Sequence, residues 1–171
     1  MKIRKIILIA SILLLTTLLK INAQTGVKPT FPTDSICAQI KKETDEFTNE
    51  VNFGSPPLKE AGIKIYKYIK KGRVVYYLSL RAYGSTLNVN ESGVIILFQD
   101  GTKWTRAEKI DVEPESDGYE YSAFIILTPI DVTTFSKKKI KAFRLYIYDK
   151  KIDSSDAENF TLYTQCIKNA K

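Results

Sequence analysis

The chain contains no histidine. Ser-His-Asp and Cys-His nucleophile arrangements are therefore excluded, and so is the usual nitrogen ligand of zinc and copper. Cysteine is scarce, with 2 in 171 residues. Two thiolates alone cannot close a tetrahedral metal site. There is no G-x-x-x-x-G-K-S/T stretch and no G-x-G-x-x-G after a strand, so no phosphate cradle is legible. Internal repeats and low-complexity tracts are missing too. What remains implies no cofactor.

What is present begins with a compartment signal. Lys2, Arg4 and Lys5 precede an apolar run, Ile6 to Leu19, broken only by Ser11, Thr16 and Thr17. The run of 14 residues is short of the roughly 20 a membrane-spanning helix needs. Ile21-Asn22-Ala23 then offers a small residue for cleavage. Residues 1–23 have the build of a secretory signal peptide cut after Ala23, so the mature chain begins at Gln24. The competing reading is an uncleaved anchor. After cleavage the protein is not an integral membrane protein, and it is secreted or periplasmic.

The formal net charge is +7. Segment 1–23 holds four basic residues and no acid, which leaves the mature chain near +3. The remaining Lys and Arg alternate with Asp and Glu and form no stripe of the kind a phosphate backbone selects. Nucleic acid is set aside as a partner.

Cys37 and Cys166 lie near opposite ends of the mature chain. In an oxidising compartment an even count favours a disulfide, and two separate buried thiols are the alternative. Residues 24–34, with Gly26, Pro29 and Pro32, read as a flexible lead. Residues 35–171 read as a single β-rich domain. Within it, residues 36–47 fit a helix or a strand equally. Ile63 to Lys70 alternates apolar and polar residues, Lys71-Gly72 suits a two-residue turn, and Arg73 to Tyr83 returns. Val94 to Phe98, Asp100-Gly101 and Lys103 to Val112 read as a second hairpin. Glu113 to Gly118 reads as an acidic loop and Tyr119 to Thr128 as a strand.

Pro129 to Phe135 reads as a short helical turn. Ile140 to Tyr148 reads as a last strand with Phe143, Leu145 and Ile147 inward. Asp156 to Asn169 reads as a helix opened by a capping box at Ser155 and Glu158. The pattern predicts a mainly β fold, an antiparallel sandwich or barrel with a C-terminal helix packed on it.

Three features together resemble small secreted domains of unknown function from Bacteroidetes-type bacteria. They are a leader ending in Asn22-Ala23-Gln24, the order Cys37…Asp45-Glu46-Phe47-Thr48, and Gly93 to Phe98 followed by Asp100-Gly101, a strand and a helix carrying Cys166. The likeness covers most of the mature chain and rests on strands and turns. It implies no catalytic residues.

The most suggestive side chains are tyrosines. Tyr66, Tyr68, Tyr77 and Tyr148 alternate with aliphatic residues on their strands and so point away from the core. Their flat rings and polar tips suit a carbohydrate, protein or peptide surface. Tyrosine also simply favours strands. The leading expectation is a non-catalytic binding or structural domain. The alternative is a carboxylate-dependent hydrolase or a calcium-dependent module using residues 111–120. There Glu113, Glu115 and Asp117 offer a weak metal site, although Phe124 stands where a bidentate Glu belongs. Lys137 to Lys139 and Lys150-Lys151 read as solvated strand ends. Sequence gives no oligomeric state.

Overall fold

A computed structural model describes residues 34–171. The expected signal peptide, its expected cleavage after Ala23 and all of the expected lead but Asp34 lie outside the described residues. Ten strands and three helices follow one another from Asp34. One antiparallel sheet has six strands: β1 (Lys41–Thr44), β2 (Val51–Gly54), β3 (Ile63–Lys70), β4 (Arg73–Gly84), β7 (Asp111–Glu115) and β8 (Gly118–Leu127), ordered β1-β2-β3-β4-β8-β7. The other has four: β5 (Ser92–Phe98), β6 (Lys103–Lys109), β9 (Ile140–Leu145) and β10 (Tyr148–Lys151), ordered β10-β9-β5-β6. Both sheets keep open edges, so the fold is sandwich-like and not a closed barrel.

Alternation in β3 and β4 fixes which face is buried. At the turn Lys71 and Gly72 both take left-handed backbone, φ 47° and 75°. This is the primed turn that matches strand twist. The resulting register sets Ile63 opposite Leu80 and Ile65 opposite Leu78 on the inner face. Tyr66 faces Tyr77 on the outer face. Ile65, Leu78, Leu80, Ala123 and Ile125 of the large sheet meet Val94, Ile96, Phe143 and Leu145 of the small one in the core.

Helix α1 (Asp34–Cys37) is one turn. Segment 36–47 is thus helix first and strand β1 afterwards. Helix α2 (Pro129–Phe135) starts at Thr128 with a reciprocal capping box to Asp131. Helix α3 (Ser154–Asn169) packs against β3 and β9 with Ala157, Phe160, Thr164 and Ile167 buried. Cys166 on α3 is bonded to Cys37 on α1, with Cα atoms 5.3 Å apart. Nearby the Tyr163 hydroxyl donates to Gln39 Oε1 at 2.7 Å.

Four local expectations need correction. Residues 103–112 are not one strand. The chain switches sheets at Ile110, which is fully buried at the corner while its N–H reaches Glu91 O. The acidic loop is mostly strand: Val112 pairs with Tyr121 and Glu115 with Gly118, leaving only Ser116 and Asp117 as turn. Gly118 sits at φ 148°, where a side chain would strike the Gly84 carbonyl. The last strand breaks into a hairpin, since Leu145 pairs with Tyr148. Ile147 therefore lies at an exposed tip beside Tyr146, whose φ is 54°. Finally, α3 is capped by Asp153, whose carboxylate accepts the Asp156 N–H at 2.8 Å. Ser155 donates its own hydroxyl to Asp153, and Glu158 pairs with Lys139 at 2.9 Å.

Candidate functional site: an aromatic sheet face and its adjoining cleft

Three of the four candidate tyrosines come together. Tyr66 and Tyr68 project outward from β3, Tyr77 from β4. Ring centroids of Tyr68 and Tyr77 are 5.2 Å apart and edge-on, and those of Tyr66 and Tyr68 are 6.3 Å apart. Phe124 of β8 completes the cluster: it stacks on Tyr77 at 4.7 Å and meets Tyr66 edge-on at 5.9 Å. Phe124 is half exposed, and Ile126 beside it is 61% exposed. Sequence reasoning left Phe124 out. The signal was there: from Phe124 onward β8 is apolar on both faces, yet an antiparallel strand with one face packed needs apolar residues on only one.

The face is open because the helix lies on the other side. Lys67, between Tyr66 and Tyr68 in sequence, points inward and is buried. Its ammonium donates to Ala170 O, just beyond α3, at 2.6 Å and lies near the Phe53 and Tyr76 rings. Burial lowers its pKa. Alternation then commits Tyr66 and Tyr68 to the face away from α3. No hydroxyl of Tyr66, Tyr68 or Tyr77 makes a hydrogen bond among the described residues. Burial, then the neighbouring tyrosines and Glu43, raise the Tyr68 pKa. The Tyr66 ring lies over Gly54, so the glycine leaves room for it. Asn52, paired with Tyr68, keeps a buried Oδ1 without a hydrogen-bond partner.

Tyr148 is elsewhere. It packs on Tyr121, centroids 4.4 Å apart, and fills the space above Gly84 that any side chain there would take. Its hydroxyl donates to Thr86 O at 3.1 Å. Tyr121, fully buried, also donates to Thr86 O and accepts the Asn88 N–H at 2.9 Å. The expectation that Tyr148 belongs to the binding face is overturned. The chain turns between Leu145 and Tyr148, so the alternation of a single strand does not run through it.

A cleft of about 360 Å³ opens at one end of the aromatic face. Tyr66 belongs to both. Lys59, Lys64, Arg81 and Lys150 line the cleft with Tyr83, and no acidic side chain does. Lys64 lies 4.4 Å from the Tyr66 ring centroid. Tyr83 donates to Glu120 Oε2 at 3.0 Å, and that bond leads the influences raising the Tyr83 pKa.

The acidic candidates do not assemble. Glu113, Glu115 and Asp117 are exposed along an edge hairpin. No group of three Asp, Glu or Cys side chains among the described residues could hold a metal. The most connected carboxylate is Asp131. It accepts Trp104 Nε1–H and an Arg106 N–H, each at 2.7 Å, and the Thr128 N–H and hydroxyl. Burial alone would push its pKa up, but those bonds and Arg106 outweigh burial and hold it down. Both carboxylate oxygens accept hydrogen bonds, so this group ties β6 to α2.

Among the described residues no helix is long and apolar enough to cross a membrane. No family model, curated protein or solved structure matches the chain.

Proposed function

We propose that this is a secreted or periplasmic, non-catalytic binding domain whose outer sheet face docks a carbohydrate. The observation that carries the reading is the cluster Tyr66, Tyr68, Tyr77 and Phe124, uncovered by α3 and by the second sheet. A pyranose ring offers an apolar C–H face to an aromatic ring and hydroxyls to its rim. Unspent phenolic hydroxyls beside stacked rings meet both needs. Little is lost on binding, because strands hold the rings in place before the ligand arrives. The disulfide supports an oxidising compartment, and the leader-like segment 1–23 supports export. The likeness to small secreted Bacteroidetes-type domains belongs with this reading.

A glycan array probed with the purified protein tests it. Tyr77→Ala and Phe124→Ala should each remove the signal while the far-ultraviolet dichroism stays that of the parent. Unchanged binding by both variants would sink the proposal. For export, the secreted or periplasmic material should begin at Gln24. A retained Met1 in the membrane fraction defeats that part.

A further inference from the structure

The cleft beside the aromatic face concentrates charge that the rest of the molecule does not. Four cations line it and no acid does, whereas the chain beyond residue 23 carries only about +3 overall. Lys59, Lys64 and Lys150 have no ion-pair partner among the described residues. Arg81 reaches Glu120 only at 3.5 Å and leaves 59% of its side chain exposed. Three cations without an ion-pair partner, together with the loosely paired Arg81, repel one another around one concavity, so the empty cleft is electrostatically unfavourable and an anion relieves it. The cations do not continue as a track. Lys59 comes from the β2–β3 loop, Lys64 and Arg81 from adjacent strands, and Lys150 from the other sheet. A concave cluster of this kind fits one ring-borne anionic group better than an extended phosphate backbone.

We infer that the ligand is an acidic glycan, with a carboxylate of one sugar ring held by Lys64, Arg81 and Lys150 while the chain continues across Tyr66 onto Tyr77 and Phe124. The inference rests on the reading of the aromatic face as the carbohydrate surface. Tyr66 joins the two, since it lines the cleft and touches Phe124. The volume, about 360 Å³, is at the small end of ligand pockets. That suits one sugar residue in the cleft and the rest of the chain on the open face.

Titration calorimetry on the full mature chain separates the two readings. The probes are oligogalacturonate, oligomannuronate and hyaluronan fragments, the same oligogalacturonate with its carboxyls reduced to alcohols, and inorganic polyphosphate. At least one carboxylated chain should bind ten-fold or more tightly than the reduced chain, and more weakly as salt rises. In the Lys64→Gln/Lys150→Gln variant that ratio should fall to within about two-fold, and Lys64→Arg should keep it. Equal affinity for carboxylated and reduced chains overturns the inference, as does polyphosphate competing as well as the glycan. Binding of none of the three acidic chains at millimolar concentration overturns it as well. If Tyr77→Ala and Phe124→Ala abolish binding while the lysine pair leaves the ratio intact, the aromatic face stands and the cleft assignment falls. If only the lysine pair matters, the cleft stands and the aromatic-face reading falls.

Discussion

Two tyrosine clusters sit on this fold, and their hydroxyls are used differently. The Tyr121 and Tyr148 rings pack with centroids 4.4 Å apart, and both hydroxyls bond to Thr86 O, with Asn88 completing the set. They clamp the loop between β4 and β5. Tyr68 and Tyr77 are packed almost as closely, and Phe124 stacks on Tyr77 at 4.7 Å and meets Tyr66 edge-on. None of the Tyr66, Tyr68 and Tyr77 hydroxyls has a protein partner among the described residues. Ring geometry alone does not separate the two clusters. What separates them is where the polar tips go, because a buried phenol must be satisfied internally and an exposed one is free for a ligand.

The sharpest test of that difference is stability. Tyr121→Ala should cost about 3–5 kcal/mol in urea unfolding, the range for deleting a fully buried aromatic ring. It also leaves the Asn88 N–H without its acceptor. Tyr121→Phe should cost about 1–2 kcal/mol, since only the hydroxyl bonds go. If Tyr121→Ala unfolds no more easily than Phe124→Ala, the two clusters are not different in kind.

The disulfide comes next. Cys166→Ser should lower stability by about 2–5 kcal/mol, because the bridge closes a loop of well over a hundred residues in the unfolded chain. It joins α1 to α3, on the side of the large sheet away from the aromatic face. Ligand binding measured below the new melting temperature should therefore be unchanged. A variant that stays folded yet loses binding would show that the two faces are coupled.

Much of this architecture was legible from the chain. Alternation at Ile63 to Lys70 and the Lys71-Gly72 turn give the hairpin its register, because a one-residue slip would carry Ile65 and Leu78 into water. Cys37 and Cys166 pair, as their even number suggested. Misreadings gather where the chain changes direction inside an apolar stretch. At Ile110 it crosses between sheets, and at Tyr146-Ile147 it reverses without glycine or proline. Local pattern does not encode either event, since both depend on what lies opposite. Tyr148 was misassigned for that reason. The cationic cleft was illegible for a related one: the 59–64 stretch, Arg81 and Lys150 come from separate parts of the chain and meet only in the fold.

A third test moves from rings to a carboxylate. Asp131→Asn should cost about 1–3 kcal/mol, since Arg106 and Trp104 lose a charged acceptor in a largely buried place. The pH dependence has a definite sign. The folded state lowers the Asp131 pKa from 3.8. The associated stability is therefore fully present above the unfolded value and is lost as pH falls through the lower folded value. The gap between parent and Asp131→Asn should be constant from neutral pH down to about 5 and shrink below about 4. A gap that widens on acidification would contradict the direction of the shift.

The smallest expected effect on stability falls on the outer face, and there the smallness is the point. Phe124 is 50% exposed, so truncation forfeits only part of the roughly 1.5–3 kcal/mol that full burial of such a side chain supplies. Its stacking on Tyr77 adds about 0.5–1.5 kcal/mol at most. Phe124→Ala should therefore cost about 1 kcal/mol, and Tyr77→Ala a similar amount, well below Tyr121→Ala. No cavity forms, because solvent fills the space left behind, and no hydrogen bond is broken, because the Tyr77 hydroxyl makes none. A surface that can be stripped at so little cost to folding is not held in place by folding. If both variants keep their melting temperature within about 5 °C of the parent and lose glycan binding at least ten-fold, the rings serve recognition. A loss of 3 kcal/mol or more would make them a second core, and the distinction between the two clusters would disappear.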